Sequence, residues 1–235
     1  MSGEGDRRHS VKEWAKSIGF AVVAWLILRT FVVQAFHITS ESMETTLLHG
    51  DVLWVARPTF GAKVPFTSTL LPAFREPGHG DIVIFESVEQ AGLDVVKRVV
   101  GLPGDTLAME GGTVVRNGTR VDEPYARRAS PDAPDPNGSR AQMRAWQEPR
   151  LIGPRLPLYL PDRNNWGPLV VPPESLFVMG DNRDSSYDGR FWGFLPRKNL
   201  RGSPLLIYYS FNPASWRPLP LLTATRWNRL FTIPR

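Results

Sequence analysis

The chain has 235 residues, a formal net charge of +5 at pH 7 and no cysteine. This length is sufficient for one large or two modest domains with a hydrophobic core, and the absence of cysteine excludes disulfide bonds, thiolate nucleophiles and cysteine-ligated metals. The positive charge suits an anionic partner. Because the basic residues are spread along the chain without an aromatic and basic stripe, we expect a membrane surface rather than nucleic acid.

The histidines predict neither a metal site nor a histidine-based triad. They are His9, His37, His49 and His79, and their spacing matches no common ligand pattern. We therefore expect no metal and no cofactor, and a nucleophile in this chain would need a base other than histidine.

The N-terminal region has the pattern of a membrane anchor. Residues 1–17 are polar and carry four basic side chains, Arg7, Arg8, Lys12 and Lys16. Residues 18–36 contain one charge, Arg29, and their number is close to the roughly 20 residues that a spanning helix needs. The Arg29 stem can reach the far interface, so the spanning part is expected between Trp14 and Arg29. The basic flank precedes the apolar run, which predicts a cytoplasmic N-terminus and an extracytoplasmic domain over residues 37–235.

A cleavable signal peptide is the alternative interpretation of this segment. Val33 and Ala35 would supply the small residues that precede a cleavage site. Arg29 interrupts the apolar run, however, and cleavage would leave Phe36 as a new terminus beside the next motif. A retained anchor is therefore favoured.

The first motif with chemical potential is the stretch 38–48, ITSESMETTLL, which follows the apolar run. Ser40 and Ser42 precede Met43 and are two positions apart. In an extended strand they would point to the same side, so that one hydroxyl could attack a carbonyl while the other supports the oxyanion. Serine is also common in surface turns, and the motif therefore needs a base elsewhere in the chain.

The remaining sequence predicts a mostly β domain made of short strands separated by Gly- and Pro-rich turns. Strands are expected over residues 50–55, 80–85, 94–100, 169–171, 176–179 and 205–209, with a hairpin over 114–121 centred on Asn117-Gly118. Two segments are expected to be loops: 57–79, which has no clear period, and 126–150, where Pro, Asp, Ser and Gly predict mobility.

Lys97 stands out because it is one of five lysines and interrupts a strand of β-branched residues. Val95, Lys97 and Val99 would share one face of that strand. Burial among valines would lower the pKa of the amine and make it a base near neutral pH. The alternative is an edge-strand lysine that faces water.

A polar loop over residues 180–193 completes the set of motifs. Its three aspartates suggest calcium, but Arg183 lies among them and the central glycine and final glutamate of a calcium loop are missing. Interleaved Asp and Arg side chains more readily form ion pairs that hold Ser186 in a fixed orientation.

Taken in order, these motifs resemble those of the bacterial type I signal peptidases, also called leader peptidases. The matching segments are Ser42-Met43, Gly80-Asp81, the Lys-Arg-x-x-Gly-x-Pro-Gly-Asp run over 97–105 and the loop over 180–193. The resemblance implies a mostly β peptidase core, preceded by the single transmembrane helix and containing a smaller inserted β region over about residues 106–170.

The resemblance also implies roles for individual residues. Ser42 would be the nucleophile and Lys97 the general base. Ser40 would support the oxyanion together with the Ser42 backbone N–H, and Ser186 would hydrogen-bond to the Lys97 amine. The loop that holds Ser186 would be maintained by Asp181, Arg183, Asp188 and Arg190.

The implied substrates are the signal peptides of secreted preproteins, cut after small residues at the bacterial plasma membrane. Membrane lipid and the export machinery are the other expected partners. The peptide would bind as an added strand, with its small side chains in shallow apolar pockets. These pockets are assigned to Phe36, Ile38, Met43, Leu47, Ile84 and Val96.

Three positions depart from the family pattern. Thr39 and Thr45 stand where proline is usual, and Gly189 stands where serine is frequent, so we expect a looser turn with all reacting groups retained. Two other functions stay open at this point: an anchored domain that binds exported peptides without cutting them, and a self-cleaving Ser-Lys repressor-type protease, a class that lacks an N-terminal anchor.

Overall fold

A computed structural model describes residues 13–22, 33–61, 73–128, 140–153 and 158–235. Two antiparallel β-sheets provide most of the regular structure in these residues, which confirms the prediction of a mostly β domain. The predicted strand segments are confirmed to within a few residues at their ends. The structure adds the strands β1, β5 and β10 defined below, which the sequence analysis did not predict.

The larger sheet has seven strands in the spatial order β1-β2-β11-β3-β4-β9-β10. Its strands are β1 (Val33–His37), β2 (Asp51–Ala56), β3 (Ile82–Glu86), β4 (Asp94–Gly101), β9 (Ser175–Met179), β10 (Leu195–Pro196) and β11 (Leu200–Ser210). The long β11 joins the two halves of the sheet because it pairs with β2 on one side and with β3 on the other.

The smaller sheet has four strands in the order β7-β6-β5-β8. Its strands are β5 (Thr106–Glu110), β6 (Thr113–Arg116), β7 (Thr119–Arg120) and β8 (Trp166–Val170). It is inserted in the chain between β4 and β9, as expected. Asn117 and Gly118 have φ angles of 52° and 78°, the left-handed pair that a two-residue hairpin requires, and the predicted hairpin is confirmed.

The described residues include four α-helical segments. They are α1 (residues 13–22), α2 (Arg140–Gln147), α3 (Gly189–Trp192) and α4 (Pro220–Thr223). None of the helices in the described ranges has the length and apolar character needed to cross a membrane. Residues 23–32, which include Arg29 and the middle of the predicted anchor, lie outside the described residues. The last part of the predicted segment, from Val33 onward, forms β1 and pairs with β2.

The predicted mobile loop over 126–150 is wrong for its second half. Residues 140–147 form α2, in which Met143 and Gln147 are fully buried. Gln147 accepts a hydrogen bond from the Tyr159 hydroxyl and donates one to the Arg190 carbonyl, 3.0 Å away. Residues 129–139 lie outside the described residues.

Three hydrophobic clusters form the core of the described residues. One lies between the two sheets and includes Leu107, Trp166 and Phe177. A second packs around Phe85 and Val178. The third lies directly behind the serine motif and contains nine buried residues: Ile38, Met43, Leu47, Leu53, Val55, Ile82, Ile84, Val96 and Ile207. The serine motif is therefore built on a rigid apolar base.

Candidate active site

Ser42 and Lys97 are 55 positions apart in the chain and meet in the fold. Lys97 Nζ lies 2.6 Å from Ser42 Oγ, and the two residues are only 3% and 6% exposed. Burial lowers the pKa of Lys97 from 10.5 to about 8, an effect that Asp188 and Asp181 oppose and Arg190 reinforces. A buried amine with a lowered pKa can accept a proton from a hydroxyl that it already contacts.

The position of Lys97 follows from its strand. β4 is an interior strand, with β3 on one side and β9 on the other, and its last six residues are all buried. Lys97 pairs with Val83 of β3. The alternative of an edge-strand lysine facing water is therefore wrong.

Ser40 and Ser42 do not lie in a strand as predicted. The chain turns from Glu41 onward, and backbone hydrogen bonds from Thr46 and Leu47 to the Met43 carbonyl, at 3.1 and 2.8 Å, close this turn. The two hydroxyls are nevertheless 3.2 Å apart. The prediction that they share a side holds, although a turn rather than strand alternation produces it.

The turn that carries Ser42 has an uncommon backbone conformation at Thr45, whose φ is 101°. Proline is restricted to φ near −65°, so the proline usual at this position could not adopt this conformation. The Thr45 hydroxyl donates to the Tyr125 carbonyl at 2.9 Å. The Thr45 hydroxyl thus adds a hydrogen bond to this turn, and the expectation of a looser turn stays a prediction.

The loop over residues 180–190 is held by ion pairs, as predicted, but two of the three main partners lie outside it. Asp188 pairs with Arg190 inside the loop, with Oδ1 2.9 Å from Nε. Asp181 accepts two hydrogen bonds from Arg98, at 2.8 and 2.6 Å. Arg183 donates two to Glu123, at 2.7 and 2.6 Å.

These ion pairs are almost entirely buried. Burial alone would raise the pKa of Asp188, but Arg190 and the Gly180 N–H hold it below its ordinary value. A hydrogen-bonded ion pair in this buried environment fixes the loop, because breaking it would leave an uncompensated buried charge. Arg98 and Glu123 are the residues that sequence reasoning missed here.

The same loop packs closely against the serine turn. The Asn182 N–H donates to the Ser42 carbonyl at 3.0 Å. A Cβ at Gly180 would lie 2.4 Å from the Ser42 carbonyl oxygen and 2.3 Å from Ser186 Oγ, so only glycine permits this approach. The loop thereby fixes the backbone carbonyl of Ser42.

Ser186 does not have the predicted partner. Its side chain is buried, but among the described residues no hydrogen bond joins Ser186 Oγ to Lys97 Nζ. The prediction that Ser186 orients the amine through a direct bond is therefore wrong for this structure. The Ser186 backbone carbonyl accepts a hydrogen bond from Arg190 at 3.3 Å, which ties the residue to the loop's ion pair.

An open cavity of about 540 Å³ leads to the Ser42 and Lys97 side chains. Its walls come from two stretches, 36–42 and 92–97, and its end from Ser185 and Tyr187. The first stretch continues β1, which is the terminal strand of the sheet. The second stretch includes the part of β4 that precedes Arg98, the residue at which the pairing of β4 with β9 begins. The cavity is thus a groove between two strands.

Only half of the predicted substrate-binding residues line this groove. Phe36, Ile38 and Val96 contribute to its walls. The other predicted residues, Met43, Leu47 and Ile84, are at most 2% exposed and belong to the cluster behind the groove. The structure adds Leu93, Val95 and Tyr187 as apolar groove residues. They could not be recognised because nothing in their sequence spacing indicates which strand edges face each other.

No group of three His, Cys, Asp or Glu side chains that could hold a metal ion occurs within the described parts of the chain.

A serine hydroxyl beside a buried lysine amine, at the end of a groove between strands, is an arrangement suited to acyl transfer by a serine hydrolase. Residues 11–209 match the family described as signal peptidase, peptidase S26. The chain belongs to this family.

Individual relatives agree with this assignment. Signal peptidase I of Leptolyngbya laminosa is 33% identical over 207 residues, which cover 85% of this chain and 80% of that protein. Signal peptidase I of Bacillus licheniformis is 31% identical over 208 residues, which cover 88% of this chain and 93% of that protein. A match to a solved signal peptidase I from Enterococcus faecalis has 24% identity, covers 56% of this chain and 98% of that chain, and has a TM-score of 0.37.

Proposed function

We propose that this protein is a membrane-anchored endopeptidase that removes N-terminal signal peptides from exported preproteins, with Ser42 as the nucleophile and Lys97 as the general base. The observation that carries the proposal is the 2.6 Å contact between Lys97 Nζ and Ser42 Oγ. This contact is buried, lies at the end of an open groove and belongs to a chain of the signal peptidase family.

The reaction proceeds by acyl transfer through a serine ester. The neutral Lys97 amine takes the proton of Ser42, and Ser42 Oγ forms a bond to the carbonyl carbon of the scissile peptide. The resulting ammonium then protonates the departing amine as the C–N bond breaks. In the second half, Lys97 takes a proton from water, the hydroxide oxygen attacks the ester, and Ser42 regains its proton as the signal peptide leaves with a new carboxylate.

The negative charge that forms on the carbonyl oxygen needs donors. We assign the Ser40 hydroxyl and the Ser42 backbone N–H to this role. Ser40 Oγ lies 3.2 Å from Ser42 Oγ and lines the groove, so an oxyanion formed on an acyl group bonded to Ser42 would lie within reach of its hydroxyl. A donor fixed before the reaction stabilises the developing charge without reorganisation.

The substrate binds as an extended strand in the groove. Residues 36–40 and 94–96 offer two roughly facing stretches of backbone, and an added strand can pair with exposed strand edges. Ile38 and Val96 line the same groove as Ser42, and we assign to them the apolar pockets for the small side chains before the cut.

The N-terminal region anchors the enzyme in the bacterial plasma membrane, with residues 1–17 in the cytoplasm and residues 37–235 outside it, near membrane lipid and the export machinery. The charge distribution around the apolar run supports this orientation. Since the chain has no cysteine, Gln90→Cys would provide a unique, exposed label site. A membrane-impermeant maleimide should label this variant in intact spheroplasts, and labelling only after lysis would reverse the topology.

The activity is tested with the purified full-length protein in detergent and a preprotein substrate. Wild type should release the signal peptide, Ser42→Ala should not, and Ser215→Ala, a replacement far from the groove, should behave as wild type. N-terminal sequencing of the product identifies the cut. Equal cleavage by wild type and Ser42→Ala would overturn the assignment of the nucleophile.

A further inference from the structure

The segment after the last strand, residues 211–235, returns to the back of the serine turn; we call it the C-terminal arm. It lies beyond residue 209, where the match to the family ends. The arm is tied to β11 by backbone hydrogen bonds from Ile207 to the Thr232 carbonyl at 2.8 Å and from Arg226 to the Ser210 carbonyl at 2.9 Å. Its position is therefore fixed relative to the main sheet.

Arg229 is the residue of the arm that contacts the serine turn directly. Its guanidinium donates to both carboxylate oxygens of Asp51, at 3.1 and 2.6 Å. The same Nη2 donates to the Thr46 carbonyl at 2.9 Å. The Arg229 side chain is 19% exposed and the Asp51 side chain is completely buried, so the pair is shielded from water where it meets the turn.

Asp51 connects this guanidinium to the base of the turn. One carboxylate oxygen also accepts the Leu48 N–H at 2.8 Å, and the other accepts the Ser210 hydroxyl at 2.7 Å. A carboxylate with four donor atoms, two of them on the charged Arg229 guanidinium, has a single favourable orientation. Asp51 therefore holds the end of the turn, and the positive charge of Arg229 balances the negative charge of the Asp51 carboxylate.

Thr46 is also hydrogen-bonded to Arg98 of β4 and to Asp181 of the loop over residues 180–190. Its hydroxyl donates to Asp181 at 2.6 Å and accepts from Arg98 at 3.2 Å, while its N–H donates to the Met43 carbonyl at 3.1 Å. Arg229 completes this set by binding the carbonyl of the same residue. Thr46, which lies in the turn that begins at Ser42, is thus hydrogen-bonded to Arg98 and Asp181 and also to Arg229 of the C-terminal arm.

We propose that Arg229 is a positioning residue for catalysis, which holds the serine turn through Asp51 and the Thr46 carbonyl so that Ser42 Oγ stays within reach of Lys97 Nζ. This inference rests on the proposed function. It assigns a catalytic contribution to the C-terminal arm, although no atom of Arg229 contacts the substrate groove. A displacement of about 1 Å in a reacting group can cost up to roughly 100-fold in rate, so a small shift of the turn after loss of the Arg229 contacts would be measurable in kcat.

The test compares Arg229→Ala, Arg229→Lys and a matched control, Arg217→Ala, in the full-length protein with a peptide substrate. Arg217 lies in the same arm, and its guanidinium donates to the Thr223 carbonyl of the arm at 3.1 Å. Steady-state kinetics separate kcat from KM, and circular dichroism at the assay temperature measures the folded fraction. Wild type and Ser42→Ala are run beside them.

For Arg229→Ala we expect kcat to fall about 10- to 100-fold while KM changes less than about twofold, because the reacting hydroxyl moves and the groove does not. Arg229→Lys keeps a charge beside Asp51 but cannot hold the two-point geometry, so its kcat should be intermediate. Arg217→Ala should match wild type.

Three results would overturn the inference: wild-type kcat in a folded Arg229→Ala protein, a loss carried by KM alone, or a loss equal to the unfolded fraction. If wild type and Ser42→Ala cleaved equally, the proposed function would fail and the inference with it. If wild type cleaves and Arg229→Ala matches it, only the role of Arg229 fails.

Discussion

The protonation of Lys97 predicts the pH dependence of the enzyme. Burial lowers the pKa of its amine from 10.5 to about 8. At pH 7 about one molecule in ten would then carry the neutral amine, against roughly one in 3000 for an unshifted lysine. Only the neutral amine can act as a base, so kcat/KM should rise about tenfold per pH unit below pH 8 and level off above it.

The assay is the initial rate of peptide cleavage from pH 6 to pH 10 at substrate concentrations well below KM, which reports the ionisation of the free enzyme. Lys198→Met, which removes an exposed lysine, should give the same profile as wild type. Lys97→Arg should be inactive across the range because guanidinium does not release its proton. A profile that is flat below pH 8, or one that still rises steeply at pH 10, would refute the reasoning.

Two further predictions concern single replacements. The pKa of Lys97 is lower in the folded than in the unfolded protein, so the buried charge destabilises the fold below pH 8, and this penalty fades between pH 8 and 10.5. Lys97→Met should therefore raise the free energy of unfolding by ~1–3 kcal/mol at pH 7 and by less at pH 10. Urea denaturation at the two pH values measures this difference. Ser40→Ala should lower kcat by about 100-fold through loss of an oxyanion donor, with the midpoint of the acid limb unchanged; wild-type turnover would show that other donors serve the oxyanion.

Ser42 and Lys97 are singled out by the resemblance to a family pattern rather than by either residue alone. Serines are common in turns, and a lysine among valines could also face water at a sheet edge, so it is the order of the motifs along the chain that links them. The sequence does not show which contacts bring Ser42 and Lys97 together. Ser42 reaches Lys97 because Met43 and Val96 pack in one cluster and Asn182 holds the Ser42 carbonyl, and these are contacts between segments far apart in the chain.

The missed elements share a weak local signal. β5, TLAME, has one β-branched residue, and its strand conformation comes from pairing with β6 and β8. α2, RAQMRAWQ, follows a polar segment and is short, so its helical state depends on packing Met143 against the insertion and on the Gln147 hydrogen bond to Arg190. Tertiary contacts decide both, and no local pattern could supply them.

Arg98 and Glu123 illustrate the same limit within the site. Both are charged residues, and charged residues are ordinarily exposed, yet they are only 3% and 6% exposed. Each is the partner that a buried charge of the loop requires: Arg98 for Asp181, and Glu123 for Arg183. The sequence predicts that a loop with so many charges must be paired, but it cannot say that the partners come from β4 and from the inserted region.

The serine turn shows how a departure from a family pattern can be compensated. Proline would stiffen this turn through its fixed φ, but Thr45 adopts a φ of 101°, which proline cannot reach. In its place, the Thr45 hydroxyl binds the Tyr125 carbonyl, and the Tyr125 ring packs on the Arg98 guanidinium, 3.9 Å from its centroid. Arg98 in turn binds Thr46. The turn is thus connected to the inserted region through Tyr125 and to β4 through Arg98, and these contacts close a loop at the neighbouring residues Thr45 and Thr46.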